Sequence, residues 1–90
     1  MSETVWLFHG EGAKFASAVF KQFAIAEAWI AANKFSGMLT EYPVDISVYD
    51  MHLAEGLFTP KNDTQCSREF RQGFTSAVQA HFHYTDGSRE

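Results

Sequence analysis

The residues best suited to chemistry stand near the C-terminus, where the chain reads HFHYTDG, His81 to Gly87. Two imidazoles two positions apart share one face of an extended strand. A pair so placed can clamp one metal ion, and zinc accepts such nitrogen ligands. A usable site also needs a third ligand and groups behind it that orient the first two. His9 would approach if the first and last strands were neighbours, and Glu41 is a further candidate. The plainer account gives His81 and His83 the polar positions of an amphipathic strand, anchored by Phe82 and Tyr84, with no cofactor at all.

A second group lies in the middle of the chain. Between Thr40 and Gly56 stand four acids, Glu41, Asp45, Asp50 and Glu55, with no Lys or Arg, and Tyr42 and Tyr49 interleave with them. An acidic surface carrying tyrosines suits recognition of a basic protein: the charge speeds encounter and the rings supply anchoring area. Glu41, Tyr42, Asp45 and Tyr49 are therefore the candidate binding residues. The same acids could pair for general acid–base work. The plainer account assigns Asp50 to a helix cap and the other acids to solubility.

Other motifs fail on inspection. HGEGAK, His9 to Lys14, has neither the third glycine of a dinucleotide fingerprint nor the spacing of a phosphate loop, and a strand follows it. Cys66 has Arg68 nearby but lies in a polar, loop-like stretch, and no nucleophile elbow surrounds any serine. The balance favours a binding module over an enzyme. The enzyme alternative is a small metal-dependent or small-molecule-binding protein built on His81 and His83, with His9.

These groups need a scaffold, and the composition supplies one. The chain has 90 residues, enough for one domain, of which 46% are hydrophobic and 16% aromatic. A domain this small buries only about 60% of its unfolded surface, so most rings must lie inside. A net charge of -4 excludes a nucleic-acid backbone or an anionic membrane as natural partners. No apolar run reaches transmembrane length. The start, MSETVWLF, lacks the basic region of a signal peptide, and the single Cys66 cannot form an internal disulfide. A cytoplasmic setting follows as the expectation.

The elements read as β-β-α-β-α-β. TVWLFHG and KFASAVF are apolar runs joined through GEGA, a hairpin pattern. In Phe23–Lys34 the residues Ile25, Ala28, Trp29 and Ala32 keep helical spacing, widened by Ala26 and Ile30. Gly37–Tyr42 reads as a third strand. Ser47 and Asp50 cap a short helix over Val48–Glu55, and Gly56 suits its left-handed exit. SREFRQ offers one more helical turn. SAVQAHFHYT alternates, with Val78, Ala80, Phe82 and Tyr84 on one side and Gln79, His81, His83 and Thr85 on the other. The expected fold is α+β: a small, mainly antiparallel sheet with one long helix packed on a face. A core over residues 4–86, an exposed loop at 59–66 and a tail at 87–90 complete the single domain. An uncovered sheet face or edge invites homo-oligomerisation.

Taken together, VWLFHGEGAKFASAVF, AEAWIAANKFSGMLTEYPVDISVYD and FTSAVQAHFHYTDG resemble a family of small, uncharacterised bacterial domains. The resemblance runs from Val5 to Gly87 and rests on W-I, S-G-x-L-T-E-Y-P and H-x-H-Y-x-D-G in that order. It implies an intact stand-alone domain of bacterial type, and it carries over no activity and no catalytic residue. At the level of class, such small acidic domains are similar to immunity- or antitoxin-type binders and regulators.

Overall fold

The computed structural model describes residues 3–90; Met1 and Ser2, part of the stretch read as lacking a signal peptide, lie outside the described residues. The chain forms strand β1 (Thr4–Gly10), strand β2 (Ala18–Phe20), helix α1 (Phe23–Asn33), strand β3 (Gly37–Pro43) and helix α2 (Val48–Ala54). A 3-10 turn (Asp63–Cys66), helix α3 (Arg68–Gln72), strand β4 (His81–Thr85) and strand β5 (Ser88–Arg89) follow. The class is α+β, as expected. The element order is corrected: the helical turn expected in SREFRQ forms α3, the 3-10 turn and β5 are added, and the longest helix, α1, has only 11 residues.

One five-stranded sheet runs in the order β2-β1-β3-β4-β5. Every pairing is antiparallel. β1 and β3 pair along their full length, from Thr4 opposite Pro43 to Gly10 opposite Gly37. Gly37 permits the tight end of that pairing, because a Cβ there would lie 2.3 Å from the His9 carbonyl oxygen.

α1 covers one face. Phe8, Ala26, Ile30, Leu39 and Tyr84 form the buried cluster, with Trp6, Phe20, Phe23, Trp29 and Phe82 packed around it. Phe8 meets Trp29 edge-on at 5.4 Å, and Trp6 meets Phe23 edge-on at 5.0 Å. Such aromatic pairs add about 0.5–1.5 kcal/mol each beyond the area they bury. The expected helix stripe needs correction. Phe23, Ala26, Trp29 and Ile30 face the sheet, whereas Ile25 is 54% exposed and Ala28 and Ala32 are exposed. Alanines on both sides of α1 leave two stripes nearly equal in apolar content. A carboxylate also sits on the inner one: half-buried Glu27 accepts the Tyr84 hydroxyl at 2.9 Å and pairs with Arg89 at 3.2 Å.

Two strands are shorter than expected. Only Ala18–Phe20 of the second run pairs, and Phe15 is 76% exposed. The last long run becomes a strand only at His81. Before it, the Gln79 side chain captures the backbone: its Oε1 accepts from Ser76 N–H at 3.0 Å and its Nε2 donates to the Glu41 carbonyl at 3.1 Å. Gln79 is therefore buried and Val78 exposed, the reverse of a continued pleat. Ser88–Arg89, expected as tail, pairs with β4.

α2, the 3-10 turn and α3 build a separate lobe beside the sheet. Ser47 accepts from Asp50 N–H at 2.9 Å, as its N-cap role requires. At the exit Gly56 is left-handed, and Leu57 N–H reaches back to the His52 carbonyl at 2.8 Å. Tyr49 is the hub: its ring touches Phe58, Phe70 and Phe74, and its hydroxyl donates to the Gln65 carbonyl at 2.8 Å.

Candidate functional site

The pleat sends the histidine pair outward. Phe82 and Tyr84 pack towards α1, so His81 and His83 lie on the opposite side of the sheet. Their rings stand 5.5 Å apart at 84°. The Nδ1 of His81 is tied to the Gln79 carbonyl at 2.7 Å. His9 shares this face but is separated from His83 by the width of β3, with Met38 between them in register. Its Nε2 contacts the Ala13 carbonyl. Glu41 has the parity of Leu39 and stands opposite Trp6, on the other face. Among the described residues no group of three or more His, Cys, Asp or Glu could hold a metal ion. Among those residues the H-x-H pair thus gathers no third side-chain ligand of these types.

The acidic stretch is divided as well. Tyr49 is only 3% exposed and serves the lobe's interior, which removes it as a surface anchor. Burial raises its hydroxyl pKa above the ordinary value, and the Cys66 thiol beside it adds to the rise. Asp45 is exposed, with a left-handed backbone at φ 64° in the turn between β3 and α2. Asp50 is exposed in the first turn of α2.

Glu41 and Tyr42 stay together, and the fold gives them new company. They line a cleft of about 230 Å³ between the sheet and the lobe. Thr4 joins them from β1; Met51, His52 and Glu55 face them from α2 and its C-cap. Thr4 Oγ1 donates to a Glu41 carboxylate oxygen at 2.7 Å. The described ion pairs are Lys21–Glu3, Arg68–Glu69 and Arg89–Glu27, so among the described residues neither Glu41 nor Glu55 meets a cation. His52 is 2% exposed, and neither ring nitrogen finds a hydrogen-bond partner. A buried donor or acceptor left unmet costs about 1–3 kcal/mol, so His52 is a point of frustration on the cleft wall.

Sequence reasoning named Glu41 and Tyr42 but missed His52, Thr4 and Gln79. His52 carries one local signal, since Val48, Tyr49 and His52 fall on a single helical stripe. No local spacing reports the cleft itself, because its walls come from four distant segments.

The fold and cleft together define a two-layer α+β domain with an acidic groove on its flank, lined by no Lys or Arg among the described residues. The chain belongs to the family described as a domain of unknown function, DUF7710, which matches residues 5–90. Comparison with curated proteins and with solved structures gives no match.

Proposed function

We propose that this domain is a recognition module that takes one cationic side chain of a protein partner, lysine or arginine, into the cleft between β3 and α2. The observation that carries this reading is Glu41: a half-buried carboxylate held by a neutral hydroxyl, with no cation of the described chain to pair with it. A partly desolvated carboxylate gains more from a charge-assisted bond than one in water. Glu55 offers a second acid on the opposite wall, while Met51, Pro43 and Leu57 offer apolar surface for a methylene stem. Drug-sized ligands use about 300–1,000 Å³; a cleft of about 230 Å³ suits a single long side chain. Asp45, exposed in the turn that follows β3, adds to the negative field that would steer a basic surface, whereas Asp50 shares a separate recess with Arg68 and Arg71.

The test is a nuclear magnetic resonance titration with a short arginine-containing peptide as probe and a glutamate-containing peptide as control. Shifts should centre on Thr4, Glu41, Met51 and Glu55. Glu41→Gln, which retains the Thr4 bond, should weaken the probe at least about tenfold. Reversing Glu41 and Asp45 to lysine should abolish capture of the native partner in a pull-down. Shifts that map elsewhere, or equal binding by Glu41→Gln, would overturn the reading.

A further inference from the structure

The face of the sheet away from α1 is the largest feature that the cleft leaves unused. Along the described strands its outward positions include Val5, Leu7, Val19, Met38, Thr40 and His81, read from the register and from the inward residues between them. None of the outward strand positions is Asp, Glu, Lys or Arg. Protein surfaces carry roughly 25–35% charged residues, so a face of this size would ordinarily hold about three. Arg89, the one charged residue of β5, turns inward instead and lies over the Phe23 and Phe82 rings.

Among the described residues α1 packs on the opposite side, and Val5, Leu7, Met38 and Thr40 on this one all stay partly exposed. The molecule is a slab with extents of 45 × 29 × 20 Å, and its thin dimension holds one sheet and one helix layer at about 10 Å each. Its radius of gyration is 14.7 Å, against about 12 Å for a compact chain of this length. A folded monomer of this mass exposes about 5,300 Å². This chain exposes 6231 Å², an excess of about 900 Å², close to the roughly 800 Å² that one partner gives to a standard interface.

We infer that the occupant of this face is a second copy of the chain, packed sheet to sheet about a two-fold axis into an α-β-β-α dimer. Self-packing fits strand positions without formal charge, because a two-fold axis sets one patch against its own copy, so charges of one sign on it would face a patch of the same sign. The acids nearest this face, Glu11 and Glu90, border its end beside His9, Met38 and His83 and occupy no outward strand position. Edge pairing is the poorer route, since the edge strands β2 and β5 have three and two residues and short edges resist extension. This inference is independent of the cleft.

Sedimentation velocity over a dilution series tests it. The expected result is a concentration-dependent rise from 10.2 kDa to twice that mass. Thr40→Lys puts a charge between Leu7 and His81 at the centre of the face and should weaken association at least about tenfold, since the charge would be buried without a partner. Val19→Lys should act in the same direction; Val19 is 64% exposed, so the monomer should keep its fold by circular dichroism. Ile25→Lys, on the exposed side of α1, should change nothing. A monomer at every concentration, or a dimer that ignores both sheet-face variants, or one that only Ile25→Lys dissociates, would overturn the inference.

Discussion

The sheet with α1 and the lobe of α2 and α3 solve the same problem by different means. In the sheet body a contiguous cluster is fully shielded: Ala26, Ile30 and Leu39 expose nothing, and long strand pairings surround them. In the lobe Phe58, Phe70 and Phe74 remain half-buried around Tyr49, and two side-chain caps, Ser47 and Ser67, hold the short helices. Helices of seven and five residues do not persist on propensity. The lobe therefore depends on its aromatic contacts and on the body it leans against. The cleft spans both units, with Thr4 and Glu41 from the sheet on one wall and Met51, His52 and Glu55 from the lobe on the other.

The sharpest way to break that contrast is to cut each core once. Leu39→Ala should cost about 2–5 kcal/mol in denaturant unfolding, a large share of the about 5–13 kcal/mol expected for a chain of this size. Phe74→Ala removes a ring that touches Tyr49, Phe58, Phe70 and His52. Its half-burial brings the usual 3–5 kcal/mol down to about 2. Hydrogen exchange should show the loss confined to α2 and α3, with β1 and β3 still protected. Equal losses across both units would show that the two form one cooperative core.

Alkali separates the units chemically, since each holds one buried tyrosine. Burial, and then the Glu27 carboxylate at its hydroxyl, push the Tyr84 pKa up to about 12. The folded state holds that proton more tightly than the unfolded chain does. The resulting stability is complete below pH about 10 and is lost as pH climbs towards about 12. Tyr84→Phe should flatten the fall in unfolding free energy across that window in the body, read from β4 amides. The raised Tyr49 in the lobe should still respond.

What the sequence made legible follows the same division. Where one residue fixes one backbone feature, the reading held: Ser47 and Gly56 bound α2, and the alternation of His81, Phe82, His83 and Tyr84 places rings inward and imidazoles outward. Where side chains compete with the pattern, it did not. Glu27 lies on the inner stripe of α1 because Tyr84 and Arg89 hold it. Gln79 ends the pleat by substituting its amide for ladder bonds. The cleft was half legible: Glu41 and Tyr42 stood out by charge and type, whereas Tyr49, chosen on the same grounds, turned inward to Phe58, Phe70 and Phe74, which flank the polar loop on either side.

Smaller effects probe the lobe itself. Ser47→Ala removes the N-cap of α2 and should cost about 1 kcal/mol, seen as faster amide exchange in α2 alone.

His52→Leu should go the other way. The imidazole is buried without a partner for either nitrogen and packs edge-on against Phe74 at 5.7 Å. An apolar side chain of similar size removes the unmet groups and should raise the lobe's stability by up to about 1 kcal/mol, measured as slower exchange of α2 amides. Local rules are most often broken where function needs it, and His52 lines the cleft. The arginine-peptide titration then decides what the frustration is for. If His52→Leu is more stable and binds the probe less well, the imidazole is kept for the ligand. If it is more stable and binds equally well, recognition rests on the carboxylates alone, and the lobe carries its histidine only as a cost to packing.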